Sequence, residues 1–288
     1  QEPTIVEIDL KKKSYNCQRR KNSAYSLPKK LISPGEDLWF KGYNKCNTHA
    51  WYYPPLPILH DKSPLIVKVH SGPTSMASRG LNLPIQFWTS RGWGVLDINY
   101  SGSTGFGREY RDRLRNGWGN VEAFDCCAAV QELIKLGKAS REYIAIEGSS
   151  AGGFTALRCL SSSDLFRVAS CKYPVTDLFA MLKTTHRFEA GYLDYLVGNI
   201  RDNYSKYFER SPINNIDKIS TPVIFFHGLK DNVVCLEQVR KMVAKLNDNK
   251  VTVEFHTFKN EGHGFRDAIS NIKVLELTEK FFLKHLRL

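Results

Sequence analysis

The chain has 288 residues, of which 42% are hydrophobic and 12% aromatic, a mixture that supports a sizeable core and excludes disordered, collagen-like and coiled-coil proteins. Its formal net charge is +12, and residues 1–30 contribute +5 of it without the interleaved aromatics or motifs of nucleic-acid binders, so a solvated basic face is favoured over a nucleic-acid site. No apolar run approaches the roughly 20 residues of a membrane span, and the amino-terminal sequence QEPTIVEIDL lacks a signal-peptide pattern.

The first 34 residues differ from the rest of the chain. Alternating apolar residues predict one strand over residues 4–10, and polar, basic sequence follows up to Ser33, Pro34 and Gly35. We therefore divide the chain into residues 1–34 and a larger domain over residues 35–288.

Beyond that boundary, apolar runs of strand length alternate with segments of helical periodicity. Strands are predicted over 65–69, 94–99, 143–147, 168–173, 223–227 and 251–258, and helices over 83–91, 118–136, 152–160, 236–246 and 269–286. Residues 177–215 indicate an inserted helical segment, in which we interpret Phe188 and Tyr192 as packing residues, with an apolar substrate subsite as the alternative. The alternation predicts an α/β fold around a mostly parallel sheet.

The strongest functional signal is the sequence GSSAG at residues 148–152, which has the G-x-S-x-G spacing of a nucleophile turn. It lies between a predicted strand and a predicted helix, where a sharp turn needs glycine on both sides of the nucleophile. Only Ser150 has glycines at both offsets, so it is preferred over Ser149. A Gly/Ser-rich turn without a catalytic role is the alternative, because the pattern also arises by chance.

A nucleophilic serine needs a base to accept its proton and an acid to orient that base. In this strand–turn–helix arrangement the acid follows the serine along the chain and the histidine comes last. Asp231 follows the predicted strand 223–227, and His263 follows the strand 251–258 with a glycine on each side. We therefore expect Asp231 to orient His263. The other candidate histidines, His227, His256 and His285, are interpreted as structural or surface residues. Asp177 comes too early in the chain to be the orienting acid, and Asp267 comes after the histidine.

The loop after an early strand supplies the second half of an oxyanion hole in such a site. The sequence HSGP at residues 70–73 ends the strand 65–69, so we expect the backbone N–H groups of Gly72 and Ala151 to bind the oxyanion. The glycine-rich segment 102–107 lacks the G-x-G-x-x-G and G-K-[ST] spacings, so we interpret it as a turn leading to the next helix and predict no nucleotide site.

The seven cysteines are irregularly spaced and include no C-x-x-C pair, so neither a disulfide framework nor a zinc site is indicated. The chain also lacks an H-E-x-x-H motif, and we expect no metal and no cofactor. Unpaired cysteines favour a reducing compartment, which predicts a cytoplasmic location.

With these residues identified, the chain resembles the prolyl oligopeptidase family of serine peptidases, above all its acylaminoacyl-peptidase and dipeptidyl-aminopeptidase-like branch. The resemblance covers about residues 36–288. The matching segments are HAWYYPP at 49–55, HSGPTS at 70–75, NYSGSTGFG at 99–107, WG at 118–119, GSSAGG at 148–153, SPIN at 211–214, GLKDNV at 228–233 and GHGF at 262–265. One departure is Ser71, where the family usually has glycine.

The resemblance implies an α/β-hydrolase fold with helices on both faces of the sheet, and roles for Ser150, His263 and Asp231 as nucleophile, general base and orienting acid. It implies a serine peptidase that acts on short peptides and releases N-terminal acylated amino acids or dipeptides. An esterase or lipase-like hydrolase with the same triad is the alternative, and an inactive relative that only binds is disfavoured because all three residues are present.

The same resemblance implies a further domain and further partners. Family members carry a β-propeller before the hydrolase domain, so residues 1–34 would be the tail of its last blade and Gln1 would mark a cut in a longer chain. Homo-oligomers are common in the family. Neither a nucleic-acid nor a membrane partner is expected.

Overall fold

A computed structural model describes residues 5–18, 27–56, 63–184 and 191–288. The strands in these ranges are β1 (Ile5–Asp9), β2 (Ser14–Gln18), β3 (Glu36–Lys41), β4 (Asn47–Tyr53), β5 (Leu65–Val69), β6 (Gly94–Asn99), β7 (Ile144–Ser149), β8 (Val168–Lys172), β9 (Val223–Gly228) and β10 (Val253–Phe258). The helices are α1 (Leu83–Thr89), α2 (Arg108–Asp112), α3 (Val121–Lys135), α4 (Ala151–Ser162), α5 (Leu178–Thr184), α6 (Tyr192–Leu196), α7 (Ile200–Arg210), α8 (Leu236–Asp248) and α9 (Ala268–Leu286).

Eight strands form one twisted sheet in the order β10-β9-β8-β7-β5-β6-β4-β3. All neighbours from β10 to β6 are parallel, whereas β4 pairs antiparallel with β6, and β3 pairs antiparallel with β4. The prediction of a mostly parallel α/β sheet is therefore confirmed. Parallel pairing brings the carboxyl ends of β5, β7, β9 and β10 to one edge, and the loops that follow these strands meet there.

Each face of the sheet carries its own apolar core, because successive side chains of a strand point to opposite faces. Val67 and Ile146 lie on one face and pack with residues of α3, α4 and α8. Ile66 and Ala145 lie on the other face and pack with α1 and α9, including the fully buried Trp88. Burying such a side chain contributes roughly 1.5–3 kcal/mol. Helices on both faces, as expected, shield the parallel strands from water.

The amino-terminal strand predicted over residues 4–10 is half of a hairpin. Strand β1 pairs antiparallel with β2, and Asp9 accepts the N–H groups of Lys11 and Lys12 in the turn between them. Strand β2 was not predicted, because its sequence, SYNCQ, lies in a stretch of mostly polar and basic residues. Ile8 is 65% exposed and Leu10 is 85% exposed, so the hairpin lies outside both cores.

The predicted helix ends differ by up to three residues from those of the structure, and one short helix was not predicted. The predicted helix 118–136 begins at Val121, because Trp118 is already fully buried in a turn that precedes the helix. The glycine-rich segment 102–107 is a turn, as interpreted, but it leads first into the short helix α2. Within the described ranges, no helix is long and apolar enough to cross a membrane.

Candidate active site

Ser150 lies at the sharp turn between β7 and α4 with φ 55° and ψ −121°. A non-glycine residue in such a conformation costs about 1–3 kcal/mol, which the surrounding contacts must offset. The turn is tight on both sides: a Cβ atom on Gly148 would lie 2.2 Å from the carbonyl oxygen of Gly152, and one on Gly152 would lie 2.2 Å from that of Val69. The glycines of the G-x-S-x-G pattern are therefore required by close backbone approach.

His263 links the serine to an aspartate. Its Nε2 lies 2.9 Å from Ser150 Oγ, and its Nδ1 lies 2.9 Å from Asp231 Oδ2. These groups lie on the loops after β7, β9 and β10. Ser150 and His263 are 113 residues apart in sequence, and Asp231 and His263 are 32 residues apart. Gly264, at φ 105°, allows the reversal that directs the imidazole over the sheet edge. The three residues predicted from sequence form one continuous hydrogen-bonded line, and their catalytic roles remain a prediction.

The carboxylate of Asp231 is held by several donors. Its side chain is fully buried, and its Oδ1 accepts the N–H groups of Val233 and Val234 at 2.8 and 2.9 Å. Burial alone would raise the pKa of this carboxyl, but the hydrogen bonds from His263 and the two amides outweigh it and lower the pKa below its ordinary value. Asp231 is therefore an anion at neutral pH and holds His263 in the tautomer with Nδ1–H.

The rival residues occupy supporting positions. His227 is buried in β9, and its Nε2 lies 3.1 Å from the carbonyl oxygen of Val234 and 3.7 Å from Asp231 Oδ2. Burial lowers the pKa of His227, so the ring is neutral and packs behind the aspartate. His256 faces a glutamate of its own strand, and Asp267 caps the first turn of α9.

Gly72 and Ala151, the expected oxyanion donors, lie on neighbouring loops. Gly72 has φ 126°, and a Cβ atom there would lie 2.7 Å from the backbone nitrogen of Ser75, so only glycine fits. Within the described residues, neither the N–H of Gly72 nor that of Ala151 finds an acceptor. Ser71, the departure from the family pattern, donates its hydroxyl to the carbonyl oxygen of Ser149 at 2.8 Å and joins the two loops.

His70 holds the loop after β5 in place through contacts on its ring face and at both ring nitrogens. Its ring stacks on Tyr100 at 4.2 Å, its Nδ1 lies 2.7 Å from the carbonyl oxygen of Ser71, and its Nε2 lies 2.7 Å from Ser103 Oγ. Burial lowers the pKa of His70 to about 4, so the ring is neutral. The glycine-rich turn therefore supplies Ser103 as a structural partner of this loop.

Tyr173 is a site residue that the sequence did not single out. It follows β8 with φ 38°, and its ring lies edge-on to His263 at 4.8 Å between centroids and to Phe265 at 5.3 Å. A lone tyrosine after a strand carries no pattern, so only the contact itself identifies it. The aromatic ring packs against the imidazole of His263.

The inserted segment contacts the same edge. The hydroxyl of Tyr192 lies 2.6 Å from Thr74 Oγ1 in the loop after β5, so Tyr192 supports that loop. Phe188 lies outside the described residues. In the part of the chain that the structure covers, no cluster of three or more potential ligands could hold a metal ion.

A parallel sheet flanked by helices, with a serine on the strand–helix turn and a histidine and aspartate on later loops, defines an α/β-hydrolase. A model of the prolyl oligopeptidase family matches residues 80–288. The chain belongs to this family.

Several known proteins are similar to the chain. Dipeptidyl aminopeptidase BIII of Pseudoxanthomonas mexicana is 30% identical over 76% of this chain and 32% of its own length. The acylamino-acid-releasing enzyme of Arabidopsis thaliana is 31% identical over 69% of this chain and 27% of its own length. A puromycin-hydrolyzing peptidase of Mycobacterium tuberculosis has a similar structure, with a TM-score of 0.93, 36% identity, and coverage of 99% of this chain and 45% of its own. The chain thus spans less than half of each relative.

Proposed function

We propose that this chain is the catalytic part of a serine peptidase that hydrolyses short peptides and releases N-terminal acylated amino acids or dipeptides. The observation that carries the proposal is the hydrogen-bonded line from Ser150 through His263 to Asp231 at a strained strand–helix turn. The names of the similar proteins, a dipeptidyl aminopeptidase and an acylamino-acid-releasing enzyme, support the substrate class. No cofactor is needed for this chemistry.

The geometry supports acyl transfer in two stages. His263 Nε2 accepts the hydroxyl proton of Ser150 as Oγ bonds to the scissile carbonyl carbon, and Asp231 stabilises the resulting imidazolium. His263 then donates that proton to the departing amine nitrogen as the carbon–nitrogen bond breaks. A water molecule attacks the acyl-enzyme, gives one proton to His263, and the proton returns to Ser150 Oγ as the acid product leaves.

The free N–H groups of Gly72 and Ala151 would stabilise the negative oxygen in both stages. Ala151 begins α4, so the positive end of the helix dipole adds to the same effect. Loss of one such donor typically lowers kcat by about 10²- to 10³-fold. Ala151 is buried, so its N–H, which is unpaired among the described residues, supports the assignment, since buried N–H groups are nearly always paired. Gly72 is exposed, and its N–H is accessible to a substrate oxygen.

We extend the proposal to the amino-terminal residues. Residues 1–34 are the tail of a preceding β-propeller, and residues 35–288 are the catalytic domain. A two-stranded hairpin is at best marginally stable by itself, and the exposed side chains of Ile5 and Tyr15 would be covered by further strands. The proposal also includes self-association of the chain.

A cytoplasmic location belongs to the same proposal. All seven cysteines lie within the described residues, and each is a free thiol. Free thiols persist in reducing compartments.

Labelling with a fluorophosphonate probe tests the proposed nucleophile. The protein is expected to react, the Ser150→Ala variant is expected not to react, and the neighbouring Ser149→Ala variant serves as a matched control that still reacts. Equal labelling of Ser150→Ala, or no labelling of the unchanged protein, would falsify the assignment.

Substrate comparison tests the reaction class. Turnover of acetylalanine p-nitroanilide and alanyl-alanine p-nitroanilide is compared with turnover of p-nitrophenyl acetate. Hydrolysis of the anilides supports a peptidase. Hydrolysis of the ester alone would instead establish the esterase alternative.

A further inference from the structure

A row of charged side chains crosses the sheet behind the nucleophile turn. Lys68 on β5 pairs in register with Asp97 on β6 and with Glu147 on β7. Lys172 lies at the end of β8, paired with Ser149. All four side chains point to the face that packs against α1 and α9, because they share the parity of Ile66. The charges therefore alternate in sign across four neighbouring strands, β6, β5, β7 and β8.

The two central members of this row neutralise each other. The ammonium of Lys68 donates to Glu147 Oε1 in a direct ion pair. Burial opposes ionisation of Glu147, but Lys68 and then Lys172 outweigh it and lower the pKa of Glu147 to about 2. Lys68 and Glu147 are thus charged and paired, and they need no further partner.

In the described part of the chain, the two end members have no direct hydrogen bond or ion pair, and each is attracted only at longer range by its neighbour in the row, Asp97 by Lys68 and Lys172 by Glu147. Asp97 is only 7% exposed, yet among the described residues its carboxylate accepts no hydrogen bond and forms no ion pair within 4.0 Å. The ammonium of Lys172 likewise has no hydrogen bond or ion pair of that length in the described ranges. Asp97 is buried and Lys172 is half-buried, so a ligand in direct contact with them could form hydrogen bonds that no described residue makes.

Asp97 and Lys172, the two ends of the row, both line one cavity of about 230 Å³. The paired Lys68 and Glu147 also line this cavity. The other polar residues of its lining are His70, Ser78, Asn82 and Ser149, and the exposed residues Met76 and Ser78 lie at its mouth. This volume is below the roughly 300–1,000 Å³ of pockets for drug-sized ligands. It suits a small ligand with few non-hydrogen atoms. Ser150, Asp231 and His263 do not line the cavity, so it is distinct from the catalytic line.

The pattern of charges selects the ligand. A simple anion would pair with Lys172 and leave Asp97 unpaired, and a simple cation would do the reverse. A ligand that carries both an ammonium and a carboxylate satisfies both ends. The backbones of β6 and β8 lie three strand spacings apart, roughly 14 Å, and Lys172 lies two residues further along its strand than the register of the other three. The long Lys172 side chain must therefore reach toward the ligand.

We propose that this cavity binds a small zwitterion, a free α-amino acid or dipeptide, with its ammonium on Asp97 and its carboxylate on Lys172. Binding does not require the proposed peptidase activity, although that activity would release such molecules.

The test is calorimetric titration of the 288-residue chain carrying Ser150→Ala, so that no ligand is hydrolysed. Glycine and glycylglycine are compared as ligands, which distinguishes the amino acid from the dipeptide. Saturable binding of at least one is expected, and its N-acetylated and C-amidated forms are expected to bind at least tenfold more weakly. Asp97→Asn and Lys172→Met are each expected to weaken binding at least tenfold. The matched control Asp164→Asn changes an exposed carboxylate and is expected to bind unchanged.

The proposal is overturned if no ligand saturates, or if binding survives both blocking groups and both substitutions. Circular dichroism verifies that each variant is folded. If Asp97→Asn or Lys172→Met does not fold, the blocked ligands on the otherwise unchanged chain decide the question. Failure of the proposed function would appear only in the fluorophosphonate experiment, so the two outcomes are distinguishable.

Discussion

Two histidines in loops at the same edge of the sheet have opposite surroundings. His70, after β5, is stacked on Tyr100, has polar partners at both ring nitrogens, and has a pKa lowered by burial to about 4. His263, after β10, has glycine on each side, a carboxylate at Nδ1 and the serine hydroxyl at Nε2. The difference shows how one residue type is suited to two tasks. Burial without a carboxylate keeps His70 neutral, whereas the carboxylate of Asp231 orients the ring of His263 toward the serine hydroxyl.

The largest expected effect comes from replacing the second histidine. His263→Gln removes the proton acceptor, so kcat/KM on a p-nitroanilide substrate is expected to fall by about 10⁴-fold or more. His70→Asn, in contrast, is expected to lower it by less than about 10²-fold, because His70 only supports a loop. Equal losses in steady-state assays of the two variants would contradict the distinction between the histidines.

The contact between the loop after β5 and the nucleophile turn is tested by Gly152→Ala. The added Cβ would lie 2.2 Å from the carbonyl oxygen of Val69 and 2.8 Å from that of His70. The free energy of unfolding, measured in urea, is expected to fall by about 3 kcal/mol or more. Gly191→Ala is the control, because a Cβ there meets nothing within 4 Å and its φ of −92° suits any residue. Similar stability of the two variants would show that the loops are not in close contact.

The protonation of His70 is expected to affect stability. Its folded-state pKa is about 4 against an ordinary value of 6.5, so below pH 6.5 the unfolded chain binds a proton that the folded chain excludes. Stability therefore falls as the pH drops from 6.5 toward 4. Between pH 7.5 and pH 5.0, the unchanged chain is expected to lose about 2 kcal/mol more than His70→Asn, which cannot titrate. Parallel pH profiles in urea titrations would contradict the neutral, enclosed state of His70.

The smallest expected effect concerns the support of His263. Tyr173→Ala removes the ring beside the imidazole and is expected to lower kcat by roughly tenfold, with little change in KM. Tyr173→Phe keeps the ring and is expected to restore most of the rate. An unchanged kcat in Tyr173→Ala, or no rescue by phenylalanine, would show that the ring does not position the histidine.

Local signals were sufficient for much of the fold and of the candidate site. Ser150 was found because its glycine spacing lies between a strand and a helix, and Asp231 and His263 were found because each follows a later strand. The charged row was not found, because the run 65–69 has the sequence of a buried strand. The partners of Lys68 come from strands β6 and β7, and their register depends on the assembled sheet. Strand β2 was missed because a polar sequence forms a strand only beside its partner.

The position of β10 has a consequence for how the molecule fails under stress. Among the described residues it is an edge strand that pairs with β9 alone, and the loop after it carries His263. Edge elements open locally at lower free energy than central strands do. Fraying of β10 would separate the imidazole from Ser150. Trp93 directly precedes β6, five positions from β10 in the sheet, and Trp88 lies beside it at 5.3 Å between ring centroids. Under mild denaturant, loss of the proposed activity is therefore expected to precede the change in tryptophan fluorescence, so the catalytic geometry would be lost before the fold.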